Sequence, residues 1–428
     1  MLDIKLFRNP EDVERIKESE SKRFKDPTVV DELVALDLEW RNSKKMIDDL
    51  KSNKNKITRE ITELMQKKQK DKAQDLIAEL QKIKNEISNL DNKCNEIKLN
   101  SDKLRYSIGN ILHDSVPTAE AESGNKVERI VGKKPEFDFQ PKAHADLIID
   151  LGCDVEKAAE VSGARTYYLK HDVALLNLAL INFSLNHLIE KGYIPVWTPF
   201  FMRKKPIEAA AELADFEEQL YKIEGEDLFL IATSEQPLAA LHMNEIIDED
   251  KLPIKYTGIS TCFRKEAGSH GKDTKGIFRI HQFEKVEQYV YCKPEDSWNM
   301  HEEMIKITEE LFKELGIHYR IATIASGEMN DNAAKKYDLE GWFPAQNKYR
   351  ELVSCSNCTN YQARKLNIRF GKAGGYKEVV HTLNSTVMAT ERTICCILEN
   401  YQNADGSVNI PKVLRQYMNG KKVMMKVL

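Results

Sequence analysis

Glycine and proline are both missing from residues 29–105, with Pro27 lying just ahead, so nothing in that stretch punctuates a helix. Cysteine is scarce and unpatterned. The eight in 428 residues are irregularly spaced, which argues against a disulfide framework and for a reducing compartment. No run of eighteen uncharged apolar residues offers a membrane span. The most apolar segment, Ala174 to Ile189, is interrupted by Asn177, Asn182, Asn186 and His187. The opening MLDIKLFRNPEDVER carries acids at once and no apolar core, so no secretory signal or import leader is expected. Nucleotide-binding fingerprints are missing as well: GKAGG at Gly371–Gly375 lacks the strand–loop–helix spacing of a phosphate loop. Cys355 and Cys358 form one CxxC with no second pair to complete four ligands, so no zinc is expected.

What is present is size and charge. At 428 residues the chain is too long for one ordinary core, which predicts two or three domains. Hydrophobic residues make up 41%, too many for a disordered chain, while charged residues reach 31% and need long solvated surfaces. The net charge of −4 hides an asymmetry. From Arg41 to Arg105 there are 17 Lys plus Arg against 11 Asp plus Glu. A basic segment on an acidic remainder suggests that one part meets a polyanion.

That segment is also patterned. Leu33, Leu36, Trp40, Ile47, Leu50, Ile57, Ile61 and Leu64 recur with helical spacing, and so do Leu76, Leu80, Ile83, Ile87, Leu90, Cys94, Ile97, Leu104 and Ile108. Two heptad runs separated by the polar stretch Gln66–Lys72 predict an antiparallel coiled-coil hairpin over residues 29–105, with Asp31 as a candidate cap. Helices of roughly 36 residues make rods about 50 Å long. A dimerising coiled coil or a spacer would share this pattern, but the basic excess favours an arm that touches something anionic.

Residues 116–140 are rich in Gly, Pro, Ser and charge and read as a connection. From residue 141 onward, helical runs near Val173–Lys191, Pro206–Leu213 and Val387–Tyr401 alternate with strand-like runs. The strand-like runs lie near Tyr193–Pro199, Leu228–Ile231, Ile259–Arg264, Ile277–Tyr291 and Tyr319–Ile324. The expected class is α+β with a mainly antiparallel sheet flanked by helices. The domains expected are 1–115, a connection at 116–140, and 141–428.

The most informative stretch is FRKEAGSHGKDTKGIFRIHQFEKVEQYVY, Phe263 to Tyr291. In its returning strand Arg279, His281, Phe283, Lys285 and Glu287 fall on one face by the period-two rule. Such a face is a poor core. It suits a ligand carrying phosphates, a ring and an ammonium group, although a solvated edge strand would also hold alternating charges.

These residues, with IATSEQPLAALH (Ile231–His242), GYIPVWTPFFMRK (Gly192–Lys204) and HTLNSTVMATERTICCILENYQ (His381–Gln402), give the whole chain a resemblance to the seryl-tRNA synthetases. These belong to class II of the aminoacyl-tRNA synthetases, and the resemblance is strongest to the eukaryotic cytosolic type. It implies an ATP-dependent, magnesium-assisted ligase that forms seryl-adenylate from L-serine and transfers serine to tRNA(Ser), and to tRNA(Sec) where that exists. The resemblance also implies a cytoplasmic homodimer that reads tRNA through its N-terminal arm, with no membrane or DNA partner. It further implies that Arg264, Glu266, Arg279 and Arg392 carry the catalysis, and that Thr233, Ser234, Glu235, Arg264, Glu287, Asn384 and Thr386 surround serine. ATP contacts would come from Arg264, Lys265, Glu266, Arg279, Ile280, His281, Gln282, Phe283, Lys285, Glu351, Leu352, Val353, Ser354 and Arg392. Glu351 and Ser354 would ligate magnesium. One departure stands out: where the family often has Gly before the signature arginine, this chain has Glu391. An inactive RNA-binding paralogue, an enzyme charging a carrier protein and a structural coiled coil are the rival readings. The intact set of charged site residues counts against the first, the basic arm against the second, and the ligand-lined hairpin against the third.

Overall fold

The computed structural model describes residues 1–211, 219–266 and 275–427. Its backbone separates into two compact units: Leu2–Ser21 with Lys25–Gly109, and Asn110–Leu428 with Lys22–Phe24 and Met1.

The first unit holds most of α1 (Pro10–Lys22) and all of α2 (Thr28–Gln66) and α3 (Lys70–Ser107). At 39 and 38 residues, α2 and α3 are each about 58 Å long. They lie antiparallel along the expected seam, burying Leu33, Ile47 and Ile57 from α2 and Ile83, Cys94 and Ile97 from α3. Two details differ from expectation. The turn is shorter than Gln66–Lys72, because only Lys67–Gln69 leave the helices and Lys68 takes a left-handed φ of 58°. Asp31 does not cap α2. The helix starts earlier, at Thr28, whose N–H and hydroxyl both donate to Asp26 (2.9 and 2.7 Å), and Asp31 pairs with Lys17 at 2.6 Å instead. Periodicity also passes over Asp37, a buried seam residue. Burial opposes its charge, but Arg8 (2.9 Å) and Arg41 (2.8 Å) outweigh that and hold its carboxyl below the usual range.

The second unit is built on eight strands: β1 (Lys126–Val131), β2 (Ile194–Trp197), β3 (Ile254–Phe263), β4 (Gln282–Cys292), β5 (Tyr319–Thr323), β6 (Lys335–Phe343), β7 (Lys348–Asn357) and β8 (His381–Ala389). Their order across the sheet is β1-β5-β6-β7-β8-β4-β3-β2. Every pairing is antiparallel except β2 with β3. Helices α4 (His171–Glu190), α5 (Ser297–Glu314) and α6 (Thr390–Asn400) cover the sheet. Leu176, Leu180, Val286, Val290, Leu311 and Ile394 form part of the core between them. Helix α4 is long and apolar enough to cross a membrane, yet its apolar residues Val173, Leu176, Leu180 and Leu188 are spent in that core.

Several boundaries move. β4 begins at Gln282 rather than Ile277, and β3 begins at Ile254, earlier than expected. Residues 126–131, read as part of the connection, are instead the edge strand β1 paired with β5. Val387–Ala389 end strand β8, and the final helix starts only at Thr390. β6, β7 and β8 were not foreseen as strands. They are buried on both faces over much of their length and so lack the alternation that marks a half-exposed strand. The helix expected at Pro206–Leu213 is described as Lys204–Ala210. Residues 212–213, and residues 267–274 of the loop after β3, lie outside the described residues.

Candidate active site

Four neighbouring strands place charged side chains on the same stretch of sheet. The hairpin of β3 and β4 pairs Gly258 with Glu287, Ser260 with Lys285 and Cys262 with Phe283. Alternation along β4 then sends Val286 and Val290 into the helix-packed core, while Lys285 and Glu287 face a cavity of about 330 Å³. From the other side β8 sets Thr386 directly opposite Glu287, and Asn384 follows on the same face. Glu351 and Ser354 of β7 both line the cavity although their spacing of three should put them on opposite faces. A bulge between Glu351 and Val353 shifts the register and turns both inward. Glu235 opens a short helix, Glu235–Ala240, that precedes β3 in the chain, with Thr233 just ahead of it, and Arg264 and Glu266 come from the residues just beyond β3.

A smaller cavity of about 40 Å³ shares Arg264, Glu266, Arg279, Lys285, Glu351 and Thr386 with the first and adds Phe278, Ile280, Phe283, Leu352, Glu391 and Arg392. The site therefore has two compartments with a common charged wall.

Hydrogen bonds fix most of these groups. Arg264 Nε donates to the Ala232 carbonyl at 3.3 Å, and its guanidinium lies 5.2 Å from the centre of the Phe283 ring. Arg279 donates to Glu266 at 2.8 Å. Arg392 pairs with Glu351 at 3.3 Å and sits 5.2 Å from the Phe278 ring, which also carries Arg350 at 3.9 Å. Lys285 Nζ is 2.7 Å from Glu287, and Thr386 donates to Glu287 at 3.3 Å. Gln362, fully buried, donates to Glu235 at 2.8 Å while its own carbonyl accepts from Tyr289 and Thr382. Asn384 donates to the Cys358 thiol at 3.4 Å.

Charge is strongly tuned here. Desolvation pushes the Glu351 carboxyl up, but Arg392, Lys336 and Arg264 prevail and bring it down to about 2. Glu391 goes the other way: desolvation outweighs Arg392 and lifts its carboxyl to about 7. Asp338, opposite Ser354 across β6 and β7, is raised well above the carboxylate range by burial. An ionised carboxylate and a hydroxyl on one cavity wall are hard oxygen donors of the kind magnesium takes. Among the described residues no cluster of three or more His, Cys, Asp or Glu forms a metal cage by itself.

Most sequence candidates converge on these two cavities, but five do not. Ser234 is completely buried, and its hydroxyl packs 2.7 Å from where a Cβ on Gly258 would sit. Val353 points into the core beside the bulge. Gln282 lines a different cavity, with Glu284. Lys265 is exposed. His281 precedes β4, so the alternation drawn through it does not apply; its Nδ1 meets the Arg264 carbonyl at 2.9 Å and closes the hairpin. Phe278 lies inside the Phe263–Tyr291 stretch but off the alternate positions read as its ligand face, and nothing in their local sequence marks Lys336 or Gln362.

Two family models match: the tRNA synthetase class II core domain (G, H, P, S and T) over residues 218–401, and the seryl-tRNA synthetase N-terminal domain over residues 1–112. The chain is 52% identical over 427 residues to a serine–tRNA ligase of Methanosphaera stadtmanae, covering 99% of both. To the cytoplasmic serine–tRNA ligase of Arabidopsis thaliana it is 46% identical, covering 98% of this chain and 95% of that one. The crystal structure of seryl-tRNA synthetase from Pyrococcus horikoshii complexed with ATP superposes with a TM-score of 0.94 at 46% identity, with full coverage of both chains. The cytoplasmic Naegleria fowleri enzyme in complex with AMP gives 0.89 at 44% identity over 100% of this chain and 99% of that one. Likeness over the full length, at both the helical arm and the two-compartment site, makes this chain a member of the seryl-tRNA synthetase family.

Proposed function

We propose that this protein activates L-serine with ATP and transfers it to the 3′ end of tRNA(Ser), as a cytoplasmic enzyme. The observation that carries the reading is the shared wall. Thr233, Glu235 and Asn384 line the larger compartment, Phe283 and Arg392 line the smaller, and Arg264, Lys285, Glu351 and Thr386 border both. An amino acid in the larger compartment and a nucleotide in the smaller one would meet there.

In the first step a serine carboxylate oxygen bonds to the α-phosphorus of ATP, the bond to the β-phosphate oxygen breaks, and pyrophosphate leaves. In the second, the terminal ribose hydroxyl of the tRNA attacks the activated carbonyl and AMP departs. No side-chain nucleophile is required, because the carboxylate is already ionised at neutral pH. Orientation and charge neutralisation do the work. Arg264 and Arg279 would meet carboxylate and phosphate, Glu235 and Glu287 the ammonium and hydroxyl of serine, and Phe283 with Arg392 the adenine. Each contact realised mainly in the transition state would supply about 3 kcal/mol. Magnesium would be held by Glu351 and Ser354, and when bound it neutralises phosphate charge.

Residues 1–115 are assigned to tRNA and 141–428 to the chemistry. A homodimer is supported by three large apolar residues close in sequence, Ile194, Trp197 and Phe201, which stand 53, 75 and 50% exposed. The deciding assay is ATP–pyrophosphate exchange with each amino acid, followed by charging of tRNA(Ser). Exchange driven by serine above all others is expected; exchange with none, or with another amino acid, refutes the reading.

A further inference from the structure

Lys285 sits 6% exposed in the wall common to both compartments, where a lysine would be expected to serve phosphates. Its hydrogen bonds run elsewhere. Nζ is 2.7 Å from Glu287 Oε2 and donates to Thr386 Oγ1 at 3.4 Å, and Thr386 Oγ1 donates to the same Glu287 oxygen at 3.3 Å. The three groups close a triangle, brought together because β8 sets Thr386 opposite Glu287 and β4 sets Lys285 two residues away on the same face.

The proton directions in that triangle are dictated by chemistry. An ammonium can only donate, a carboxylate can only accept, and a threonine hydroxyl has a single proton. With Lys285 donating to both, the Thr386 proton is committed to Glu287. Thr386 and Glu287 then offer the cavity only acceptors, a lone pair on the hydroxyl and the second oxygen of the carboxylate, while Lys285 keeps two of its three donors inside the triangle. A ligand group docked against it must be a donor. The serine hydroxyl qualifies and so does an ammonium group. Alanine would leave a buried acceptor unpaired, and such a site can reject the analogue by roughly 10⁴-fold.

We propose that Lys285 is a specificity-determining positioning residue on the amino-acid side: it fixes the proton orientation of Thr386 and the position of the Glu287 carboxylate so that the pocket demands a hydroxyl donor. The inference rests on the serine-activation reading above and deepens it.

The test is pyrophosphate exchange by the full chain with serine, alanine and threonine, with KM for ATP measured alongside. The variants are Lys285→Met, Thr386→Val, Thr386→Ser and the double variant Lys285→Met/Thr386→Val. In Lys285→Met, KM for serine should rise about a hundredfold and the serine-to-alanine ratio of kcat/KM should fall at least about tenfold, with KM for ATP within about threefold of wild type. The double variant should lose little more discrimination than Lys285→Met does, because both act through one triangle. Thr386→Ser keeps the triangle and should discriminate like wild type, which leaves the idea testable even if Lys285→Met folds poorly. A rise in KM for ATP with serine kinetics intact would hand Lys285 to the nucleotide and overturn the proposal. So would a lowered melting temperature with an unchanged serine-to-alanine ratio, or a Thr386→Val variant that still rejects alanine fully. Absence of serine-dependent exchange in the wild type is a different failure, that of the functional reading itself.

Discussion

Glu391 stands next to Arg392, and its environment makes it a stability switch between about pH 4.5 and about pH 7. It is the second residue of α6, with no left-handed φ, so the backbone accepts a side chain there without strain. The cost falls on its charge instead. Glu391 is 4% exposed, and its Oε2 finds no hydrogen-bond partner among the described residues. Desolvation, only partly offset by Arg392, lifts the carboxyl from 4.5 to about 7. The folded chain therefore holds this proton more tightly than the unfolded chain does. Stability from this group is fully present below about pH 4.5 and is lost as pH rises to about 7, a loss of about 3 kcal/mol at 1.36 kcal/mol per unit. Glu391→Gln keeps the shape and removes the titration. It should be more stable than wild type by about 3 kcal/mol at pH 8, by about half of that near pH 6, and by almost nothing at pH 4.5. Urea unfolding of both proteins at these three pH values, followed by a probe reporting on the catalytic unit, measures the difference directly. A gap that does not change with pH would mean that Glu391 is not the buried acid the geometry describes.

Three further outcomes are expected. Deleting Lys44–Lys103 and rejoining the chain by a short turn should leave serine-dependent pyrophosphate exchange near normal, while tRNA charging falls steeply and loses much of its salt dependence; charging that survives would refute the polyanion reading of the arm. Glu287→Ala should abolish serine activation and leave ATP titration largely intact, since Arg264, Phe283 and Arg392 remain; normal serine kinetics would exclude this face of β4 from the amino-acid site. Cys355 and Cys358 are both buried thiols, and replacing the pair with Ser should change neither metal content nor activity beyond a small packing loss; stoichiometric zinc that disappears in the double variant would contradict this.

The parts of this protein legible in its sequence are those built from local rules. Heptad spacing located the hairpin, because two helices that bury a narrow seam must repeat their apolar residues every three or four positions, and the basic excess is a plain count. Alternation along Phe283, Lys285 and Glu287 likewise picked out the side of β4 that lines the cavities. Tertiary structure decided what depends on partners far along the chain. Glu351 and Ser354 share a wall only because a bulge against β6 shifts their register, and Ser234 is buried beside the cavities where Gly258 leaves room for it. Gln362 reaches Glu235 across 127 residues, and Lys285 reaches Thr386 across 101. Periodicity reports which face a side chain takes within its own element. Which groups then meet, and which of them keep their charge, is settled by strand register and by the loss of water between elements, and neither is written in any local run of residues.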